Sequence, residues 1–101
     1  MDKEYLGKLM LVENDHLKDT QKMIDCAIMF KHKGHTEAMN FFASQAKHRM
    51  TMYDELHRKT QSMLATMPKA EENSKECMCW NILEQQTKSW VDKMKLQIGE
   101  W

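Results

Sequence analysis

The sequence predicts an all-α protein in which three long helices form an up-down-up antiparallel bundle. Apolar residues recur at spacings of three and four, as on one face of a helix, and no segment shows the polar–apolar alternation of a half-buried strand. The chain of 101 residues has 3 glycines and 1 proline, and Gly34 and Pro68 interrupt the helical pattern. These two positions divide one expected domain, residues 1–101, into helices of about 45 Å each.

The first two helices are expected to form a hairpin. The first covers about residues 3–32 and ends at Gly34, while Thr36 is the expected N-cap of the second. The second continues to about Met67 and is stopped by Pro68. Its expected seam comprises Met39, Phe42, Ala46, Arg49, Tyr53, Leu56, Thr60, Met63 and Met67.

The third helix is expected to begin at Asn73, because Glu76 three residues later completes a pattern like a capping box. Its apolar positions are Trp80, Leu83, Trp90, Val91, Met94, Ile98 and Trp101. Short connections between long helices favour antiparallel neighbours. The linker before Asn73 also permits the alternative in which the third helix packs on a neighbouring chain.

Composition and charge exclude several classes of function. The 15 basic and 15 acidic residues give a formal net charge of zero, so the excess of positive charge that binds nucleic acid or an anionic membrane is missing. No apolar run is long enough for a membrane span or a signal peptide. The 3 cysteines cannot all pair within the chain, which favours a reduced, cytoplasmic setting.

No sequence pattern in the chain is typical of an enzyme active site. A glycine-rich phosphate loop and a nucleophile elbow are both absent from the sequence. The sequence therefore favours a protein that is not an enzyme and has no cofactor.

Two carboxylate-x-x-His sets are candidates for metal binding. Glu13 and His16 form one set on the first helix, and Asp54 and His57 form the other on the second. Residues three apart share a helix face, and helical bundles present carboxylate and imidazole ligands in this way. The alternative is that these are charged residues on solvated faces, where the same spacing arises by chance.

The hairpin brings the two sets to a similar level. In an antiparallel pair folded at Gly34, facing residues have numbers that add up to about 68, so Glu13 is expected to face Glu55. The third helix brings Glu84 to a comparable height. The predicted site for iron or another divalent cation comprises Glu13, His16, Asp54, His57 and Glu84.

The same facing rule pairs Asp19 with Arg49. An Arg and an Asp held in the seam of a bundle form an ion pair that fixes register without a metal. The alternative is that Arg49 extends outward into solvent.

Three tryptophans lie on the third helix. Trp80, Trp90 and Trp101 are candidates for an interface, because aromatic anchors are enriched where proteins contact one another. Trp80 and Trp90 also fit core positions.

Two segments resemble small ferritin-like, rubrerythrin-like proteins of bacteria and their phages. The run IDCAIMFKHKGHTEAMNFFASQAKHRMTMYDELH, residues 24–57, is similar to the central hairpin of that family. The run QTKSWVDKMKLQIGEW, residues 86–101, is similar to its closing helix. The resemblance implies a ferritin-like hairpin and, where the ligands are kept, iron binding.

The iron motif of that family is altered in this sequence. The family carries Glu-Glu-x-x-His on its second helix, and alignment through His57 places residues 48–52, HRMTM, at that stretch. Arg49 stands in place of a carboxylate and would repel a cation. A metal would therefore need the relocated ligands Glu13, His16, Asp54 and His57.

Two functional hypotheses follow. The first is an interaction or assembly protein that packs against copies of itself or another protein, for example as a phage-encoded inhibitor. Its small size and 11 methionines favour this hypothesis, because a small domain leaves much apolar surface uncovered. The second is a ferritin-like protein that binds iron between its helices.

Overall fold

Three helices account for most of the described chain. The computed structural model describes residues 3–66 and 74–101. Helix α1 spans Lys3–His32, α2 spans Thr36–Leu64 and α3 spans Lys75–Gly99, and these described ranges contain no strand. They pack into a rod of 55 × 18 × 18 Å. The predicted all-α bundle is therefore confirmed.

Contacts along α3 show its direction. Leu6, near the start of α1, packs with Cys77 and Trp80 near the start of α3. Further along both helices, Trp90 Nε1 donates a hydrogen bond of 2.7 Å to Gln21 Oε1. Helix α3 therefore runs parallel to α1 and packs against its own hairpin, in the up-down-up order.

The turn between α1 and α2 is a Schellman motif centred on Gly34, which has a φ of +75°. The Gly34 N–H donates to the carbonyl of Lys31 at 3.1 Å, and the His35 N–H donates to the carbonyl of Phe30 at 3.0 Å. The rings of Phe30 and His35 meet edge to face with centroids 6.0 Å apart. This geometry puts His35 at the N-cap of α2, one residue before the predicted cap, Thr36.

Helix α2 ends at Leu64, earlier than predicted. Thr66 closes the last turn by donating from its hydroxyl to the carbonyl of Met63 at 2.7 Å. The predicted end at Met67 and the expected break at Pro68 lie outside the described residues.

Ser74 is the N-cap of α3. Its backbone is extended and its Oγ accepts a hydrogen bond of 3.3 Å from the Cys77 N–H. A serine hydroxyl in this position satisfies one of the amide donors that the first turn leaves open. The predicted cap, Asn73, lies outside the described residues, and the cap is one residue later than predicted.

The apolar core has two clusters, separated along the rod. The larger cluster consists of Leu17, Ile24, Ala46, Met50, Tyr53, Val91 and Met94. The smaller cluster consists of Leu6, Cys77 and Trp80, with Met10 and Leu64 packed against it. Between the two clusters the buried positions on α1 and α2 are polar, namely Glu13 and Thr60.

Charged residues recur along all three helices. For that reason no helix in the described ranges offers an apolar stretch that could cross a bilayer.

Candidate functional site

One polar side chain from each helix meets in the layer between the two apolar clusters. His57 Nδ1 on α2 lies 3.0 Å from Glu13 Oε1 on α1, and His57 Nε2 lies 2.6 Å from Glu84 Oε1 on α3. Gln61 Nε2 donates to the same Glu84 oxygen at 3.2 Å. Glu13, His57 and Glu84, called the polar triad below, are three of the five predicted metal ligands.

The two contacts of His57 determine which protons the polar triad needs. A neutral imidazole has one N–H, whereas both ring nitrogens here face a carboxylate oxygen. The contacts are satisfied when the ring is an imidazolium that donates to both carboxylates, or when one carboxyl keeps its proton and donates to the ring. In either form the triad has one net negative charge, whereas a neutral ring between two ionised carboxylates would leave it with two.

Burial dominates the electrostatics of Glu13, which is only 4% exposed. Loss of solvation raises the pKa of the Glu13 carboxyl above its ordinary value. The charge and hydrogen bond of His57 lower this pKa, while the Glu84 carboxylate raises it again. Since burial is the largest of these effects, the net pKa of Glu13 is raised.

Two aromatic rings stack on His57. The Tyr53 ring lies with its centroid 5.3 Å from that of His57, and the Trp80 ring lies at 5.4 Å, with planes inclined by 18° and 23°. His57 therefore connects the larger apolar cluster, through Tyr53, with the smaller one, through Trp80. Burial and the nearby carboxylates raise the pKa of Tyr53 to about 12.

The cavity at the polar triad is too small for a substrate. It measures about 10 Å³ and is lined by the triad with Asn14, Leu17, Tyr53, Trp80, Leu83 and Thr87. That volume is at the lower limit for one water molecule. An open groove of about 340 Å³ between α2 and α3 reaches His57 and Glu84 from outside, and its charged rim mixes both signs, as at Asp92 and Lys88.

The structure does not bring the five predicted metal ligands together. Asp54 Oδ1 is 2.9 Å from Lys95 Nζ and so is paired with a cation, and His16 does not line the cavity of the polar triad. An imidazole ligand must present a bare nitrogen to a metal, whereas both nitrogens of His57 face carboxylate oxygens. In residues 3–66 and 74–101, no group of three or more His, Cys, Asp or Glu side chains is arranged to hold a metal ion.

Asp19 and Arg49 form the facing pair given by the hairpin rule. Arg49 Nη1 lies 3.6 Å from Asp19 Oδ2, and the side chains are 34% and 48% exposed, respectively. The pair therefore lies at the surface of the hairpin and not in a buried seam. Arg49 Nε has no hydrogen-bond partner within the described part of the chain.

The three tryptophans pack within this chain. Trp80, for which both an interface and a core position were expected, is 4% exposed and belongs to the smaller cluster, so it is a core residue. Trp90 and Trp101 are half-buried and pack against the larger cluster. Only these two keep indole surface that a partner could contact.

Large apolar side chains remain exposed on all three helices, and several of them lie along one side of the hairpin. Tyr5 is 60% exposed and Val12 45% on α1, and Met63 is 36% exposed on α2. The face that they share, called the α1–α2 face below, consists of Tyr5, Val12, Asp19 and Cys26 on α1 with Phe42, Arg49, Leu56 and Met63 on α2. Phe41 and Met52, both largely exposed, flank it on α2.

Sequence reasoning missed two features of these sites. Tyr53 and Gln61 were not connected with His57, although each lies one helical turn from it and so shares its face. The heptad spacing of the α1–α2 face was also present in the sequence, because each of its two stripes repeats every two turns.

A scan against protein-family models, a search of curated proteins and a search of solved structures each found no match to this chain. Its function is therefore inferred from its own residues.

Proposed function

We propose that this chain is an assembly module that associates with copies of itself, and that it is not an enzyme. The observation that carries the proposal is the α1–α2 face, where the large apolar side chains of Tyr5 and Val12 remain exposed. Contiguous exposed apolar surface on a soluble domain marks a site of interaction.

The polar triad fits a structural role. It is a polar cluster to which all three described helices contribute a side chain. Its inner cavity measures about 10 Å³, and its three side chains satisfy one another across α1, α2 and α3. A satisfied polar network of this kind favours one arrangement of the helices over others. The cytoplasm suits the free thiols of Cys26 and Cys79, because that compartment keeps cysteines reduced.

Self-association is tested by measuring the mass of the native protein in solution as its concentration rises from about 1 μM to about 1 mM, the range of weak to moderate affinities. We expect the average mass to rise from that of the 12.0 kDa chain towards a multiple of it. Added salt should not abolish the association, because apolar contacts are not screened. A mass of one chain at every concentration would contradict the proposal.

Iron binding of the ferritin-like type is the second candidate. It is favoured by the meeting of Glu13, His57 and Glu84, and it would require His57 to exchange a carboxylate contact for the metal. Elemental analysis of untagged protein, before and after incubation with ferrous iron, tests it. Bound iron that is lost in His57→Ala but kept in His16→Ala would support iron binding at the triad.

A further inference from the structure

The geometry points to a specific mode of self-association, which rests on the proposed function. Two copies dock through the α1–α2 face about a two-fold axis parallel to the rod. In this dimer α1 of each copy lies over α2 of the other, and Asp19 of each copy pairs with Arg49 of the other.

The α1–α2 face is a ladder of facing residues. Its two stripes each repeat at heptad spacing, and because such a stripe drifts by only about 20° per repeat, its residues stay on a similar side of the helix. The antiparallel register that brings Asp19 to Arg49 also sets the other rungs. The observed rung is Asp19 with Arg49, and the same register places Tyr5 level with Met63, Val12 level with Leu56, and Cys26 level with Phe42.

Helix α3 leaves this ladder uncovered. It contacts α1 on the side of Gln21, which accepts the hydrogen bond from Trp90. Asp19 is two residues from Gln21, which is about 200° around an α-helix at 3.6 residues per turn. The side of the hairpin that carries the ladder is therefore turned away from α3.

Charge selects between the two ways in which the face could meet itself. A two-fold axis across the rod lays α1 over the partner's α1, which would put Asp19 near Asp19 of the partner subunit when the charged rungs meet. A two-fold axis along the rod lays α1 over the partner's α2, so Asp19 meets Arg49 of the partner subunit. Like charges in contact repel each other, which favours the second arrangement.

The same arrangement matches the apolar rungs. Each facing pair then lies over the same facing pair of the other copy. Val12 lies over Leu56 of the partner subunit, and Tyr5 lies over Met63 of the partner subunit. Every pair of neighbouring helices from the two hairpins is also antiparallel. The four helices therefore have the layout of a four-helix bundle, in which apolar seams meet at the centre.

The guanidinium of Arg49 has donors to spare for a partner. It can donate five hydrogen bonds, four of them from its two Nη groups, whereas its contact with Asp19 joins Nη1 to Oδ2 at 3.6 Å. A second carboxylate from the other copy would use these donors and offset the cost of removing both charges from water.

The size of the face is sufficient for a stable dimer. The ladder runs from Tyr5 to Cys26 on α1, which is about 32 Å at 1.5 Å per residue, and the rod is 18 Å wide. The resulting area is about 580 Å² per copy, or about 1,150 Å² for both copies, which exceeds the roughly 1,000 Å² that a biological interface should bury.

Two charge-reversal variants test the pairing. In Asp19→Arg and in Arg49→Asp, like charges meet across the two-fold axis, so we expect each variant alone to dimerise roughly 100-fold more weakly than the wild type. In an equal mixture opposite charges meet again at both contacts, and a heterodimer should form with affinity close to that of the wild type. The measurement is native mass in solution, with helical content checked by circular dichroism.

Ile82→Arg on the outer face of α3 is the matched control, since Ile82 is 53% exposed and lies away from the ladder. It should dimerise like the wild type. If Ile82→Arg abolishes the dimer while the two charge variants keep it, the chain self-associates through α3 and the inference is wrong, although the proposed function stands. A wild type that never dimerises refutes both.

Cross-linking tests the direction of the axis. Val12→Cys and Leu56→Cys are made separately, each with Cys26, Cys77 and Cys79 replaced by Ala. Under oxidation the mixture should give a disulfide-linked heterodimer, whereas neither variant should cross-link efficiently with itself. Efficient cross-linking of Val12→Cys with itself would overturn the proposed axis.

Discussion

Glu13 determines much of the chain's response to pH. Its carboxyl is 4% exposed in a layer between two apolar clusters, where His57 is its ionic partner. One opposite charge does not compensate for the loss of water, and the pKa of Glu13 is raised. The folded protein therefore holds this proton more tightly than the unfolded chain does.

The free energy of unfolding should reflect this difference. From pH 4.5 to neutrality, the folded state binds more protons at Glu13 than the unfolded state, so Glu13 contributes stability at low pH that is lost as the pH rises through its raised pKa. Each unit of the shift is worth about 1.4 kcal/mol. Relative to Glu13→Gln, the wild type should thus become less stable as the pH rises.

Denaturant unfolding of both proteins at a series of pH values measures this effect. Asp15→Gln is a suitable control, since Asp15 lies on the same helix but is exposed. A wild type that gains stability over Glu13→Gln with rising pH would show that the ion pair with His57 outweighs burial.

The helices depend on their ends as well as on their packing. Helix α1 ends where Gly34 adopts a left-handed conformation, and the two hydrogen bonds of the motif depend on it. A residue with a Cβ is strained in this region of φ, while glycine is not.

Gly34→Ala should therefore destabilise the protein by about 1 kcal/mol. Gly7→Ala is the matched control, because Gly7 lies inside α1 with no positive φ and no atom within 4 Å of an added Cβ. That substitution should stabilise the protein by about 0.5 kcal/mol, through the higher helix propensity of alanine. Thermal or denaturant unfolding measures both, and equal effects at the two positions would contradict the role of Gly34.

For the helices, the sequence predicts the level of a residue along the helix axis better than the side of the helix on which that residue lies. Gly34 located the hairpin turn, and the facing rule gave the Asp19–Arg49 pair. The same rule faced Glu13 with Glu55, whereas its partner is His57, because level along an axis does not specify which side of the helix faces inward. Asp54 shares a helix with His57, yet it lies beside Lys95.

At the scale of the whole molecule, α3 is held less completely than the hairpin. It packs mainly against α1, and Glu84 connects it to α2 through His57 and Gln61. Elements with fewer buried contacts open at lower free energy than the rest of a structure. We therefore expect the amides of α3 to exchange with solvent faster than those of α1 and α2 in the larger cluster.

Hydrogen exchange followed by mass spectrometry checks this order. Glu84→Ala should speed exchange in α3 by about fivefold, corresponding to the loss of one interaction of about 1 kcal/mol, and should leave the hairpin largely unchanged. Gln86→Ala, at an exposed position on the same helix, is the control. If exchange accelerates equally in all three helices, α3 does not open separately.

The heptad spacing of the α1–α2 face also has a consequence for chirality. On a straight α-helix a stripe that repeats every seven residues drifts by about 20° per repeat. For Tyr5 and Cys26 to remain on one side of α1, the two helices of the hairpin must wind gently around each other with a left-handed superhelical sense. A second hairpin docked along the same axis would follow the same left-handed superhelical sense. The dimer would then be a closed, twisted pair with no straight surface along which further chains could add.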